Sequence, residues 1–470
     1  MVPSLLLAAG LASAAPGGGA PFAADFTGAT LRVDLYHSGT SSEEHFAIRR
    51  LRVEGPWPGS RTRLIDTSNL GKYMVEVADL ATNRVLYSRG FASIYGEWET
   101  TAEADREWGT FEEAVRVPEP RRPFQLRLRK RGPDGTFREI WRTSVDPRSR
   151  FVDRPAIQEA DVTELMIGGD PARKVDLLVL GDGYTAAQRP KFLADARRAL
   201  AALFAVEPFR SRKEDFNVRA LFTPSPQPGI TRPRAGIFRD TPLGTRYNAF
   251  DSERYVLTFD DHRWRDIAAS APYDVVAIMV NERKYGGGGI FNLYCTFAAD
   301  SAFADYLFVH EFGHHIAGLA DEYYTSDVAY EELPPIEVEP WEPNISALLP
   351  DGMPKWRALL SEGVPVPTPW DKETFEKESR ARQERRRRLR AEGAPEEELE
   401  RLFAEERSLF TAMLASERYA GKVGAFEGAG YRARGLYRPS TDCIMFTRDE
   451  VGFCPVCAAA IDRVIDGYTE

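Results

Sequence analysis

Apolar and polar residues alternate along several short stretches in the first third of the chain. Leu31-Arg32-Val33-Asp34-Leu35-Tyr36, Tyr73-Met74-Val75-Glu76-Val77, Phe124-Gln125-Leu126-Arg127-Leu128 and the segment from Phe137 to Trp141 all repeat with period two. That is the pattern of strands that bury one face and wet the other. Many such strands separated by turn residues predict an all-β, sandwich-like domain over residues 22–150. No catalytic constellation falls within it. Trp98 and Trp108 read as core aromatics rather than as a ligand platform. Targeting or carbohydrate binding is open to such a domain, but no residue pattern requires either.

The pattern changes at Val175-Asp176-Leu177-Leu178-Val179-Leu180, a nearly continuous apolar run that predicts a strand buried on both faces. A tight turn, Gly181-Asp182-Gly183-Tyr184-Thr185, follows it. Phe192, Ala196, Leu200 and Leu203 then recur at helical spacing. Phe216 to Phe222 and Val275 to Val280 read as further strands, so residues 165–470 are predicted to form an α/β domain. Residues 371–410 break the pattern with dense charge, including Arg385-Arg386-Arg387-Arg388 and Glu396-Glu397-Glu398. They predict two solvated helices inserted into that domain, with a surface role or an electrostatic partner site as readings.

Length and charge narrow the class. A chain of 470 residues exceeds one typical domain. A net charge of −10 argues against nucleic-acid binding by bulk electrostatics. The apolar run Leu5-Leu6-Leu7-Ala8-Ala9-Gly10-Leu11 before Ala12-Ser13-Ala14 fits a secretory signal peptide, so residues 1–20 are assigned to a signal and linker. No later run approaches the roughly 18–20 apolar residues of a membrane span. The expectation is a protein secreted or released to the periplasm.

The chemistry concentrates in Asp305 to Tyr323, which contains His310-Glu311-Phe312-Gly313-His314. Residues four apart share a helix face, with Cβ atoms about 5–6 Å apart. Two imidazoles so placed can each reach one zinc at about 2.0–2.1 Å. Glu311 leans toward the same ion without having to bind it, and is placed to act as general base. Leu307, Phe308, Val309 and Phe312 supply an apolar face. Ser301 stands where an N-cap belongs, and Gly318 is a natural helix stop. No histidine follows His315, which points roughly 100° away from His314. His37 and His45 belong to the first domain, so the third ligand is expected to be a carboxylate: Asp321, with Glu322 as the alternative.

Three further groups bear on this site. Tyr285-Gly286-Gly287-Gly288-Gly289-Ile290 precedes the helix and predicts an edge strand. Gly287, Gly288, Gly289 and Ile290 would there bind an extended peptide by strand addition. Met445 falls downstream of the zinc helix, where a Met-turn would form a floor beneath the metal. Tyr431 or Tyr437 could offer a phenol to the oxyanion. Cys443, Cys454 and Cys457 lie close together and Cys295 precedes the helix. In an exported chain a disulfide is the first reading and a four-cysteine zinc site a second.

Taken in order, Gly181-Asp182-Gly183-Tyr184, Glu207-Pro208-Phe209, Tyr285 to Gly289, His310 to Tyr324, Glu339-Pro340-Trp341-Glu342-Pro343-Asn344, Asp442 to Met445 and Phe453-Cys454-Pro455-Val456-Cys457 resemble the bacterial IgA-peptidase-type zinc metallopeptidase family. The resemblance covers roughly residues 170–468, and the first domain resembles the β domain that accompanies the family. It implies a metzincin-like α/β peptidase domain and a secreted endopeptidase acting on protein or peptide. It also implies Zn2+ held by His310 and His314, with Glu311 as general base. It does not imply immunoglobulin as substrate. Compared with the metzincin motif, one extra residue precedes the glycine and an acid replaces the last histidine. Two other readings compete: a secreted binding protein whose zinc fold is a scaffold, and a hydrolase of non-peptide amides.

Overall fold

The computed structural model describes residues 22–325, 336–449 and 451–469. The expected signal peptide and linker lie outside the described residues.

The first domain is a β-sandwich of two four-stranded sheets. One sheet runs in the order Gly109–Pro120, Phe26–Gly39, Glu44–Pro56, Val152–Asp153, and the other Val85–Phe91, Tyr73–Asp79, Phe124–Arg131, Phe137–Val145. The inward positions of the alternating segments, among them Leu31, Val33, Leu35, Val75, Val77, Leu126 and Leu128, fill the space between them.

The outward positions of Phe26–Gly39 do not meet water as the alternation predicts. Arg32 and Asp34 are fully buried against the second domain. Arg32 donates to Asp34 at 2.7 Å, to Glu54 at 2.8 Å and to Asp266 on the helix Asp261–Ala268. Arg50 and Arg52 converge on the same Asp266 carboxylate at 2.7 and 3.1 Å. Arg116 lies 3.6 Å over the Tyr273 ring and donates to the Tyr273 carbonyl. A face of alternating charge is covered because its charges are paired across the joint, which a periodicity argument cannot see.

The second domain is built on a six-stranded sheet in the order Gly287–Ile290, Tyr294–Ala298, Val275–Val280, Val175–Asp182, Phe216–Phe222, Asp161–Ile167. The four inner strands are parallel and the two edges antiparallel. Val175, Leu177 and Val179 face a core that includes residues of the helices Arg189–Leu203, Ala304–Ala317 and Pro455–Thr469. Leu178 and Leu180 face the opposite core with Trp264 of Asp261–Ala268. Burial on both faces explains the unbroken apolar run.

The charged segment forms two helices, Lys372–Ala391 and Glu396–Ala415, but they are solvated on one side only. Phe375, Leu399, Phe403, Phe410 and Leu414 join the main core, while pairs such as Glu378–Arg382 sit further out. Among the described residues no helix is long and apolar enough to cross a membrane.

Arg32 is the fully buried cation of the joint and touches three of its carboxylates. Replacing it by leucine leaves Asp34 with Arg50 and Glu54 with Arg116, and strips the fully buried cation that lies between the two carboxylates. The Arg32→Leu chain should lose about 3–5 kcal/mol, read as a lowered denaturant midpoint, and an unchanged midpoint would show that the joint does not depend on it.

Candidate active site

The helix Ala304–Ala317 carries the His-Glu-x-x-His segment. Its N-cap is Phe303 rather than Ser301, whose carbonyl and hydroxyl accept the amides of Ala304 and Phe303 at 3.0 and 3.3 Å. The predicted stop holds: Gly318 adopts the left-handed conformation (φ +59°) and its N–H returns to the His314 carbonyl. That reversal sends Leu319 to Tyr324 back along the helix.

Three ligand atoms converge there. The Nε2 atoms of His310 and His314 stand 3.1 Å apart, and Asp321 Oδ1 lies 3.1 and 3.2 Å from them. Three ligands each about 2.0–2.2 Å from one tetrahedral ion would stand about 3.3–3.5 Å apart, close to these distances. The imidazoles are oriented from behind. His310 Nδ1 faces the Ile444 carbonyl at 2.9 Å and His314 Nδ1 the Leu319 carbonyl at 2.5 Å. Nδ1–H donation to these carbonyls leaves the Nε2 lone pairs for a cation. Asp321 Oδ1 is buried with no hydrogen-bond partner, an orphan that a metal would satisfy. Its other oxygen accepts from the Tyr431 hydroxyl.

The electrostatics agree. Burial alone would raise the Asp321 carboxyl, but the two imidazoles hold it well below the usual range. Burial pulls the His314 imidazole down, yet the carboxylates of Asp321 and Glu311 lift it to about 9. Burial pushes the Glu311 carboxyl up. Glu322 does not join this cluster: it faces away, toward Asn344 at 3.0 Å and Cys457 at 3.2 Å. His315 bonds the Ile290 carbonyl and the Val276 amide and packs in the core.

Of the two predicted phenols the structure brings in one. Tyr431 sits at the tip of the hairpin Phe426–Ala429/Arg432–Arg438 with φ +63°. A tyrosine in the left-handed region is strained by about 1–2 kcal/mol. The Tyr431 amide bonds the Tyr323 carbonyl at 3.1 Å, and the Gly430 amide bonds the Asp321 carbonyl at 3.0 Å, pinning the tip. Tyr437 is corrected: its backbone pairs with Ser346, and it does not line the cleft. Two more phenols stand near His310: Tyr306, whose hydroxyl lies 3.3 Å from the His310 Nδ1 atom, and Tyr323, which the sequence reading missed. Its ring stacks 6.3 Å from His310 and its hydroxyl lies 3.2 Å from Arg254 and 3.4 Å from Tyr431. It falls two residues after Asp321, but only the return of the chain shows its aim.

The glycine strand is an edge strand, as predicted, and lies on the helix. A Cβ on Gly289 would fall 2.3 Å from the Glu311 carbonyl, and one on Gly287 3.2 Å from the Glu311 side chain. Glycine is therefore required to bring the strand down onto the helix. Gly287, Gly289 and Ile290 line the cleft, whereas Gly288 turns toward the Tyr255 ring. The outer edge is partly taken, because Gly287 exchanges bonds with Arg254 and Val256.

No disulfide forms among the four cysteines. Cys295 lies in the strand Tyr294–Ala298, remote in sequence from the rest, and the Cys443 and Cys457 sulfurs stand 3.9 Å apart.

The cleft has a volume of about 540 Å³ and opens between the two domains. Lys72, Gly96 and Arg131 of the sandwich line it together with Tyr323, Tyr431, His310, His314 and Asp321. A family model described as IgA Peptidase M64 matches residues 163–465, and one described as Peptidase M64 N-terminus matches residues 21–142. No curated protein matches the chain.

Proposed function

The chain belongs to the IgA peptidase M64 family and is a peptidase, and from that premise we propose that it is a secreted, zinc-dependent endopeptidase with Glu311 as its general base. The observation that carries this reading is the convergence of His310, His314 and the orphaned oxygen of Asp321, with Glu311 beside them in an open cleft.

Zinc held by these three residues would polarise the scissile carbonyl and acidify the attacking water. Glu311 takes the proton of that water and returns it to the leaving amine. Its burial favours the neutral acid it becomes between those steps. Tyr431, with Tyr323 behind it, is the donor for the oxyanion, and it leaves Asp321 to serve there. Gly289 lines the cleft and has the outward register of Gly287, so it offers backbone groups to an extended substrate. Support for a metzincin-like arrangement comes from the fully buried Met445, which follows the residue whose carbonyl orients His310.

Export rests on the Leu5–Leu11 run and Ala12-Ser13-Ala14. A chain recovered outside the cytoplasm should begin just past Ala14, and an uncleaved one would remove that part of the reading.

Glu311→Gln should retain its metal and lose about 10²–10⁴-fold in kcat on a peptide library; undiminished cleavage would sink the mechanism. Tyr431→Phe should lower kcat by about 10²–10³-fold at similar KM, and an effect on KM alone would make it a binding residue.

A further inference from the structure

On the far side of the Asp321 segment lies a second cluster of ligating atoms. We propose that Cys443, Cys454, Cys457 and Glu322 hold a second divalent ion of zinc type, whose role is to fix the catalytic ligands rather than to react.

All four ligand atoms lie within 4.8 Å of one another and all four residues are buried. The Cys443 and Cys457 sulfurs are 3.9 Å apart. A disulfide needs about 2.05 Å, whereas two thiolates at about 2.3 Å from one tetrahedral ion stand about 3.8 Å apart. The Cys457 sulfur is 3.2 Å from Glu322 Oε1, and the Cys454 amide donates to the Cys443 sulfur at 3.3 Å, as second-layer donors to metal-bound thiolates do. Cys454-Pro455-Val456-Cys457 opens the final helix, so two ligands come from one compact turn and the others from separate segments.

Glu322 supplies the independent argument. It is fully buried, and its Oε2 has no hydrogen-bond partner. The nearby Arg438 gives its N–H groups to the carbonyls of Gly428 and Thr441, not to this carboxylate. An acid sunk among three thiols is costly unless a cation accompanies it. A divalent ion satisfies Oε2 and the sulfurs together. Four protein ligands and full burial leave no open position for substrate, which is the form of a structural site.

Such an ion acts on the active site through the chain itself. Glu322 follows Asp321 directly, and its amide bonds the Met445 carbonyl at 2.8 Å. Cys443 precedes Ile444, whose carbonyl orients His310. Clamping Glu322 to Cys443 therefore fixes both Asp321 and His310.

The test counts metal in the full chain and reads the near-ultraviolet thiolate charge-transfer band after cobalt(II) replacement. The parent should bind two ions and show the band. His314→Ala should bind one and keep the band, which separates this site from the catalytic one. Cys457→Ser should bind one and lose the band. One ion in the parent with no thiolate band would overturn the proposal, as would a disulfide among Cys443, Cys454 and Cys457 in the unreduced chain. The parent alone decides the matter if the serine variant does not fold.

Discussion

The domain turns on one constraint: a carboxylate from beyond the end of a helix must be brought back and held about 3 Å from two imidazoles on that helix. Helix geometry places His310 and His314 without help. Asp321 has no such template. Gly318 reverses the chain, and then several backbone groups around Asp321 are tied down. The side-chain amide of Asn344 bonds both backbone groups of Ala320, at 2.7 and 2.9 Å. Met445 holds the Glu322 amide, and the hairpin tip holds the Asp321 and Tyr323 carbonyls. The loop around Asn344, the turn at Cys443 and the hairpin at Tyr431 are distant in sequence. They meet because each fixes part of one short segment, and the strained backbone of Tyr431 persists because that segment determines it from both sides.

This division explains what the sequence disclosed. His310, Glu311 and His314 are legible because their relation is local, and Gly318 because a left-handed stop has a residue preference. Asp321 was preferred over Glu322 by elimination, and the path of the return is what brings Asp321 to the two imidazoles and turns Glu322 away. Tyr437 and Tyr431 are equivalent on paper, and only the hairpin register separates them. The strands of the sandwich were legible from alternation, whereas the docking of Arg32 and Asp34 was not, since charge on an outer face reads as solvent exposure. The helices around residues 371–410 misled in the same way: Leu399, Phe403, Phe410 and Leu414 fall at helical spacing, but the charge between them dominates the reading. The cap at Ser301 failed by two residues, the usual scale of uncertainty at a helix end.

The sandwich contributes to the walls of the candidate cleft. Beside the edge strand Gly287–Ile290, the Ala92 amide bonds the Phe291 carbonyl at 2.9 Å and Asn292 donates to the Gly90 carbonyl at 2.6 Å. The first domain therefore anchors the loop that follows the glycine strand. That strand rests on the helix through glycines whose replacement would push it off Glu311 and His314. The joint combines apolar packing, with Leu70, Ala92 and Ile94 in one core with Leu180 and Phe291, with buried ion pairs that orient the domains through direction-dependent contacts.

The same geometry shapes what can bind. A long strand addition needs a run of unpaired edge, but Arg254 and Val256 already occupy the edge at Gly287. The backbone that remains, near Gly289, lies against Glu311 and His314. Beyond it the walls are side chains: Lys72 and Arg131 from the sandwich, Arg386 and Arg407 from the charged helices. Backbone pairing accepts any sequence, and side-chain walls do not. The walls of the cleft away from His310 and His314 are therefore carried in part by the charged helices that sequence patterning alone would have placed in solvent.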